Sequence, residues 1–385
     1  MPADTVVITA ATRTPMGAFQ GALAACSAPD LAGHAMAAAL ARAGLPAGSV
    51  DEVILGNVLP AGLGQAPARQ AALAAGLPLS VPCAVVAKVC GSGMKSVMLA
   101  HDAIRAGSAR IVMAGGMESM SNAPYLLDRA RAGYRMGHGR VLDHMFLDGL
   151  EDAYDKGRSM GTFAEDCADR YGFGREEQDR YALDSLSRAR AAIASGAFAA
   201  EIVPVGEVTQ DEAPGRARPE KIPTLKPAFR PGGTVTAATS SSISDGAAAL
   251  ILASDQAARD AGMAPLARIL GHASHAQDPA WFTTAPIFAI GKLLDRLGWQ
   301  AADVDLYEIN EAFAVVAMAA MRDLGLPHDR VNVNGGACAL GHPIGCSGAR
   351  ILVTLIHALR ARGLRRGIAS LCIGGGEATA IAVEV

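Results

Sequence analysis

The sequence has few charged residues and almost no excess of one sign. Charged residues make up 18% of its 385 residues, and the formal net charge is −3 at pH 7. Because a broad basic surface is absent, we predict no nucleic-acid partner. A ligand that carries phosphate needs only a local basic cluster, so this class stays open. Hydrophobic residues make up 51% of the chain, which predicts a large core in two domains or in one duplicated α/β unit.

The sequence also lacks the patterns of a disulfide framework, a signal peptide and a membrane span. The seven cysteines are odd in number and unevenly spaced, which argues against a disulfide framework and for a reducing compartment. Residues 1–10 lack the basic segment and the apolar length of a signal peptide. No uninterrupted apolar run reaches the roughly 18 residues that a membrane span needs. We therefore predict a cytoplasmic protein without membrane contact.

Strand-like and helix-like segments alternate at both ends of the chain, which predicts an α/β fold. The alternation breaks up after residue 116, and we predict core halves over 1–116 and 247–385. Residues 117–246 then form an inserted, mostly helical cap that returns to the core. Cys90-Gly-Ser-Gly, a helix and the strand 111–116 parallel Cys346-Ser-Gly, a helix and the strand 369–374. This repeat predicts two similar halves whose turns meet, so that Cys90 and His342 could be neighbours.

Several boundaries follow from glycine, proline and β-branched residues. The predicted elements used below are strands over 110–114 and 331–333, helices over 311–324 and 348–361, and a loop over 214–231.

Cys90 lies in a Gly-rich turn, Val89-Cys90-Gly91-Ser92-Gly93-Met94, between a predicted strand and a predicted helix. A helix N-terminus presents free N–H groups and partial positive charge, which favour a thiolate. The glycines leave room for a substrate. We predict a nucleophile. The alternative is a small buried hydrophobic residue, which is the usual environment of a free cysteine.

Two Gly-rich turns near the C-terminus carry candidate acid–base groups, in Gly341-His342-Pro343-Ile344-Gly345 and Cys372-Ile373-Gly374-Gly375-Gly376. His342 could accept the Cys90 proton, or it could cap the helix that follows. Cys372 lies beside glycine N–H groups that could face an oxyanion, or it could be a core cysteine at a strand end. Together, two thiols and an imidazole predict acyl transfer through a covalent thioester.

Asn310 follows a predicted strand, and its amide could hold a water or a carbonyl oxygen. The local pattern favours the alternative of a helix N-cap, for which asparagine is a preferred residue. Cys338, His342 and Cys346 recur every four residues, with Cys372 beyond them, so a metal site is a further alternative. Zinc sites usually show closer cysteine pairs, and we predict no metal. No Gly-x₄-Gly-Lys-[Ser/Thr] segment occurs, so a P-loop is not predicted.

These segments, in their order along the chain, resemble the thiolase family almost from end to end. Within that family the sequence is most similar to the acetyl-CoA acetyltransferase group. The resemblance is carried by Arg13-Thr14-Pro15-Met16-Gly17, Gly56-Asn57-Val58-Leu59, Val89-Cys90-Gly91-Ser92-Gly93-Met94-Lys95, Gly115-Gly116-Met117-Glu118-Ser119-Met120-Ser121, Asn310-Glu311-Ala312-Phe313, Asn332-Val333-Asn334-Gly335-Gly336, and the His342 and Cys372 turns.

The resemblance implies a duplicated α-β-α-β-α core of two five-stranded mixed sheets, a cap domain, and a homodimer or homotetramer. It implies a ping-pong reaction in which Cys90, activated by His342, takes the acetyl group of acetyl-CoA. Cys372 then deprotonates a second acetyl-CoA, and acetoacetyl-CoA forms; thiolysis is the reverse. One oxyanion hole would consist of His342 and a water held by Asn310, the other of the N–H groups of Cys90 and Gly374. CoA is substrate and product, and no metal or other cofactor is implied.

Contacts with CoA follow by the same resemblance. The expected lining of the acyl and pantetheine tunnel comprises Leu150, Met160, Ala228, Phe229, Ala237, Ser241, Phe282, Ala312 and Phe313. Arg216, with Lys221 nearby, is the predicted partner of the nucleotide phosphates, and a solvated basic loop is an equal alternative.

The chain departs from the family pattern at three places, which all belong to the expected pocket mouth and tunnel. Ser159 stands where the group usually has histidine, and Phe282 where it usually has methionine. Residues 236–239 read Thr-Ala-Ala-Thr instead of Thr-Ala-Gly-Asn. We expect intact chemistry with an altered acyl preference. The alternative function is a degradative 3-ketoacyl-CoA thiolase for longer or branched substrates. A lipid- or metal-binding protein without catalysis would require a damaged set of active residues.

Overall fold

The computed structural model describes residues 5–385 and has a mixed α/β fold. Within that range ten strands join into one sheet, and two short strands form a separate hairpin. The sheet consists of β1 (Val6–Arg13), β2 (Gly17–Ala18), β3 (Glu52–Gly56), β4 (Cys83–Val86), β5 (Ile111–Ser119), β8 (Ser244–Ser254), β9 (Ala267–Ala276), β10 (Leu306–Ile309), β11 (Arg366–Ile373) and β12 (Glu377–Glu384). The hairpin pairs β6 (Tyr125–Leu126) with β7 (Leu142–Asp143).

The α-helices of this range alternate with the strands at both ends of the chain and cluster between residues 160 and 216. They are α1 (Ala28–Ala43), α2 (Pro67–Ala74), α3 (Ser92–Arg105), α4 (Met160–Tyr171), α5 (Arg175–Ala194), α6 (Glu212–Arg216), α7 (Asp255–Asp260), α8 (Ala285–Leu297), α9 (Ala314–Leu324), α10 (Ala337–Leu340) and α11 (Ile344–Arg362). Shorter 3₁₀ segments include Pro219–Thr224 and Pro279–Thr284, and Phe146–Leu150 forms a π-turn.

The sheet repeats one arrangement in its two halves, which confirms the predicted duplication. In the order β1-β8-β5-β3-β4, two antiparallel pairs are followed by two parallel pairs. The order β9-β12-β11-β10 has the same antiparallel and parallel pattern. The position of a fifth strand is taken by Val331, which makes one parallel bridge to Tyr307. The expected strand over 331–333 is therefore reduced to a single bridge.

The two halves are joined edge to edge by a short antiparallel contact, Val7 with Arg268 and Ile8 with Ala267. β8 lies between β1 and β5, so its residues belong to the first half of the sheet. The proposed chain division at residues 116 and 246 stays a prediction.

Helices α3 and α11 lie between the two halves of the sheet. The same buried cluster contains Val112 of β5, Leu371 of β11 and residues of both helices. α1 and α2 pack on the other face of the first half, and α8 and α9 on the other face of the second half. These layers have the order α-β-α-β-α, so the predicted fold class is confirmed.

Glycines set two element boundaries differently from the prediction. β5 does not stop at Gly115 but continues to Ser119, because a Cβ on Gly115 would lie 2.0 Å from the Ala248 carbonyl oxygen and the strand needs a residue without a side chain there. α11 begins at Ile344 rather than at residue 348. Gly348 is inside the helix, where a Cβ would lie 2.4 Å from the Met94 nitrogen. In both places glycine permits close packing of backbones and does not end an element.

The inserted segment is helical, as predicted, through α4 and α5. The stretch over 214–231 is not all loop, because it contains the end of α6 and the 3₁₀ turn Pro219–Thr224. Of the described helices, only α11 is long and apolar enough to cross a membrane, and 83% of its apolar window is buried inside the protein. α11 is therefore a core helix of this fold.

Candidate active site

A tight turn holds Cys90 between β4 and α3. Val89 has a left-handed backbone with φ of 43°. The Ser92 hydroxyl donates to the Val89 carbonyl at 2.7 Å and accepts the Lys88 N–H at 2.8 Å. Because α3 begins at Ser92, Cys90 lies just before its first turn, as the sequence predicts.

The Cys90 turn meets the end of β11, which carries Cys372. A Cβ on Gly91 would lie 2.4 Å from Cδ1 of Ile373, so a larger residue would displace that side chain at the strand end. The backbone N–H groups of Gly374 and of Cys90 itself lower the pKa of the Cys90 thiol. The structure thus brings Cys90 close to Cys372 and Gly374, which are far from it in sequence.

Both thiols are protonated at rest. Burial raises the pKa of Cys90 to about 11, against the opposing effect of the N–H groups of Gly374 and Cys90. Burial also raises the pKa of Cys372, and the nearby charge of Cys90 raises it further. The helix N-terminus predicted a thiolate, but desolvation outweighs that effect in the resting site. A base is therefore needed to ionise Cys90.

His342 is buried and neutral. Burial lowers its pKa to about 3, and the charge of Arg350 contributes in the same direction. Its Nδ1 lies 2.5 Å from the Ser347 Oγ, and the Ser347 hydroxyl donates its proton to the Pro343 carbonyl at 2.9 Å. Ser347 can then only accept from Nδ1–H, which leaves Nε2 as the ring's free lone pair. Sequence reasoning missed Ser347, although it stands in the first turn of the helix after His342.

The Asn310 amide lies beside this lone pair. Its Nδ2 is 3.5 Å from the Nε2 of His342. Asn310 is buried, and its Oδ1 has no protein partner. An unpaired buried amide oxygen fits a site that receives a polar group.

Asn310 is not a helix N-cap, so that alternative is wrong. α9 begins at Ala314, and Phe313 occupies the cap position. The residues between Asn310 and Phe313 stay outside the helix because the Glu311 carboxylate is held elsewhere. It accepts hydrogen bonds from the hydroxyls of Tyr181 at 2.9 Å and Ser185 at 2.8 Å. Both hydroxyls come from α5, so a helix of the inserted segment fixes the residues around Asn310.

Glu118 joins the two halves beneath the site and was also missed. Its oxygens accept hydrogen bonds from the N–H groups of Val58 at 3.0 Å, Leu59 at 3.1 Å and Gly345 at 2.9 Å, and from the Asn57 amide at 2.7 Å. Burial raises the pKa of Glu118 to about 7. A buried carboxylate in an otherwise apolar strand is the sequence signal that could have found it.

Several of the expected tunnel residues belong to, or pack against, the buried cluster that contains Cys372. Phe229 meets Phe313 edge to face at 5.8 Å, and the Ser241 hydroxyl donates to the Ala312 carbonyl at 3.0 Å. The methyl carbon of Met160 lies 3.5 Å from where a Cβ on Gly374 would be. Leu150 shares a small apolar cluster with Cys90. Ala228 pairs by its backbone N–H with Val235 at 2.9 Å and precedes Phe229.

Phe282 does not lie at an open pocket mouth. It is 3% exposed and packs edge to face on Phe163 at 6.2 Å, within the same buried cluster as Cys372. Ser159 precedes the first turn of α4 and makes no side-chain capping bond.

A separate cavity of about 330 Å³ opens between the cap and the core. It is lined by Ala237, Cys338 and Ser242, and by the basic residues Arg218 and Lys221. Arg216 is not in this lining: it is 61% exposed and forms an ion pair with Glu212. Of the two basic residues predicted from sequence, Lys221 therefore faces this cavity and Arg216 does not. Arg218 was missed, although it belongs to the same basic stretch.

The proposed metal set does not converge. Cys346 is buried between α3 and the sheet, whereas the Cys338 thiol donates to the Glu311 carbonyl at 3.7 Å. Within residues 5–385 one group of three side chains has its ligand atoms close enough for a metal, and it contains none of these cysteines.

Family models match almost the whole chain: the thiolase N-terminal domain over residues 6–256 and the thiolase C-terminal domain over residues 263–385. The chain belongs to the thiolase family. This thiolase is 53% identical to the acetyl-CoA acetyltransferase of Escherichia coli (strain K12), over 98% of each chain. It is 50% identical to acetyl-CoA acetyltransferase 2 of Arabidopsis thaliana, over 99% of this chain and 97% of that one.

Solved structures of relatives superpose closely on this fold. The Acat5 thiolase of Ascaris suum in complex with coenzyme A superposes with a TM-score of 0.95 and 44% identity, over 99% of each chain. The Bacillus anthracis acetyl-CoA acetyltransferase gives a TM-score of 0.96 and 44% identity, over 99% of this chain and 98% of that one.

Proposed function

We propose that this thiolase is an acetyl-CoA C-acetyltransferase that joins two acetyl-CoA molecules into acetoacetyl-CoA and CoA, and catalyses the reverse thiolysis. The observation that carries the proposal is the packing of the Cys90 turn, at Gly91, against Ile373 at the end of the strand that carries Cys372. The names of the relatives, which are acetyl-CoA acetyltransferases, support the choice of substrate.

In the first half-reaction, the Cys90 sulfur attacks the thioester carbonyl while the Nε2 of His342 takes its proton. The pKa values of about 11 and about 3 are far apart, so a resting thiolate–imidazolium pair is not populated. The proton therefore moves as the carbon–sulfur bond forms. The N–H groups of Cys90 and Gly374 stabilise the oxyanion. The tetrahedral intermediate then expels CoA, which leaves with that proton as a thiol, and acetyl-Cys90 remains.

In the second half-reaction, the Nε2 of His342 takes the proton of Cys372 as the Cys372 sulfur removes a methyl proton from a second acetyl-CoA. The new Nε2–H of His342 and a water held by Asn310 stabilise the enolate oxygen. The carbanion attacks the carbonyl of acetyl-Cys90, and acetoacetyl-CoA forms as the Cys90 sulfur leaves and takes back the proton that His342 holds. The unpaired Oδ1 of Asn310 supports this role.

CoA enters as substrate and leaves as product, with its pantetheine near Ser241, Ala237 and Phe229 and its phosphates near Lys221. The relative from Ascaris suum was solved with coenzyme A, which supports CoA as the ligand. We propose no further cofactor, a homodimer or homotetramer, and a cytoplasmic location.

CoA-dependent cleavage of 3-ketoacyl-CoAs tests the proposal, measured by loss of thioester absorbance for chains of different length. We expect preference for acetoacetyl-CoA. Preference for longer or branched chains would instead assign the protein to the degradative thiolases and would support an altered pocket around Phe282 and Ser159. Absence of cleavage with every substrate would overturn the acyl-transfer chemistry.

A further inference from the structure

A second cluster of functional side chains lies at the opposite end of α3 from Cys90. His101 and Asp102 are on the last turns of α3, and His272 is on β9. Oδ1 of Asp102 is 3.2 Å from Nδ1 of His101 and 2.9 Å from Nε2 of His272. The two imidazole rings stand edge to face, with centroids 5.0 Å apart. One carboxylate oxygen is thus shared by two ring nitrogens from different elements.

One ligand atom from each of the three residues lies within 4.8 Å of the other two. Around a four-coordinate zinc ion, with zinc–nitrogen bonds of about 2.0–2.1 Å, neighbouring donor atoms lie about 3.4 Å apart. Small side-chain rotations therefore suffice to close the set around one ion. The two histidine side chains are 11% and 18% exposed, whereas Asp102 is 52% exposed, so the donors are held by packing but remain open to solvent.

We propose that His101, Asp102 and His272 form a binding site for a divalent late-transition-metal ion, separate from the thiol site. Two imidazoles and one carboxylate suit Zn²⁺, Co²⁺, Ni²⁺ or Cu²⁺, and they leave coordination positions for water. Metal binding requires a lone pair on the ring nitrogen that faces Asp102, so each neutral imidazole would carry its single proton on its other nitrogen. No oxidant or reductant is involved.

A metal here would join the two halves of the fold. α3 follows Cys90, and β9 leads to Gln277, whose N–H donates to the Gly376 carbonyl at 2.9 Å. The site therefore connects α3 with β9. One end of α3 adjoins the Cys90 turn, and β9 leads to the contact with the glycines after Cys372. An ion that binds only the folded chain raises its stability.

Calorimetric titration of the full chain with ZnCl₂ tests the proposal, after EDTA treatment and after iodoacetamide has blocked the accessible thiols. We expect one ion per chain and an upward shift of the melting temperature. His272→Ala should weaken binding more than about tenfold, because even groups that only orient a ligand change metal affinity roughly 10- to 100-fold. Asp102→Asn, which keeps the side-chain shape, provides a second variant with the same expectation.

His34→Ala is the matched control, since His34 is an exposed histidine on α1. Thiolysis by the unblocked His272→Ala protein reports that it is folded and is expected to be unchanged. Cobalt absorption adds an independent measurement: weak visible bands without thiolate charge transfer support the site. Unchanged zinc binding in both ligand variants, an equal loss in the His34 variant, a thiolate charge-transfer band, or no zinc binding by the wild type would each overturn it.

Discussion

Glu118 accepts a hydrogen bond from the N–H of Gly345 at 2.9 Å. This contact connects β5, in the first half of the sheet, with the first turn of α11, two residues after Pro343 and three after His342. A Cβ on Gly345 would lie 2.7 Å from the same Glu118 oxygen, so glycine is required for the approach. The position of His342 relative to the Cys90 half therefore depends on a buried carboxylate that touches neither thiol.

Replacing Glu118 with glutamine should disturb this connection. The new NH₂ group would face N–H donors in place of an acceptor, and each buried donor left unpaired costs roughly 1–3 kcal/mol. We expect a lower free energy of unfolding and a kcat at least about tenfold lower, since ~1.4 kcal/mol of lost transition-state stabilisation suffices for that. Denaturant unfolding and steady-state thiolysis measure both. Glu207→Gln, at an exposed position, is the control, and an equal effect there would contradict the assignment.

The same variant should change the pH dependence of stability. Burial raises the pKa of Glu118 from 4.5 to about 7. Between these pH values the folded chain binds more protons at this group than the unfolded chain, so its contribution to stability falls as pH rises. We expect the free energy of unfolding of the wild type, relative to Glu118→Gln, to decrease from pH 4.5 to 7. Denaturation curves at several pH values measure it; a difference that is constant or increases with pH would contradict the raised pKa.

Ser347 should act through the tautomer of His342. Ser347→Ala removes the acceptor of Nδ1–H, so Nε2 would hold the proton part of the time. We expect kcat to fall roughly 10- to 100-fold, within the 10²–10⁴-fold that a positioned general base contributes, with little change in KM. Ser347→Thr keeps a hydroxyl and should restore much of the rate. Ser108→Ala, at an exposed serine, should have no effect; a rise in KM alone would refute an orienting role.

The two thiols should be separable by acylation. Cys90→Ser should abolish thiolysis, because an alkoxide is far scarcer than a thiolate at neutral pH. Cys372→Ala should lose condensation by roughly 10²–10⁴-fold while Cys90 still becomes acetylated, as detected by mass spectrometry of the intact protein. Turnover close to wild type in Cys90→Ser, or absence of acetylation in a folded Cys372→Ala protein, would contradict the division of roles.

The basic residues should differ in their effect on CoA. Arg218 and Lys221 line the cavity, whereas Arg216 is paired with Glu212 at the surface. We expect Arg218→Ala and Lys221→Ala to raise KM for CoA by roughly two- to fivefold, the range of a partly exposed ion pair, with kcat unchanged. Arg216→Ala is the matched control. A larger effect for Arg216 than for the other two would restore the prediction from sequence.

The duplicated α/β fold and the candidate thiols and imidazole could be predicted from the sequence alone, because turns rich in glycine identify backbone that must approach other groups closely. It also indicated that Cys90 and His342 could meet, since the repeat implies two halves related by symmetry.

Which group each glycine approaches, and how each polar group is protonated, depend on the tertiary structure. Gly115 and Gly348 look like element boundaries in sequence, but each fits against a neighbouring backbone inside a continuous strand or helix. Asn310 lies before α9 and not at its N-cap because of Glu311, whose hydrogen-bond partners come from a helix more than a hundred residues away. The state of Cys90 was set by desolvation, which exceeds the local effect of the helix N-terminus. These properties depend on burial and on contacts between distant segments, and the local amino-acid pattern specifies neither of them.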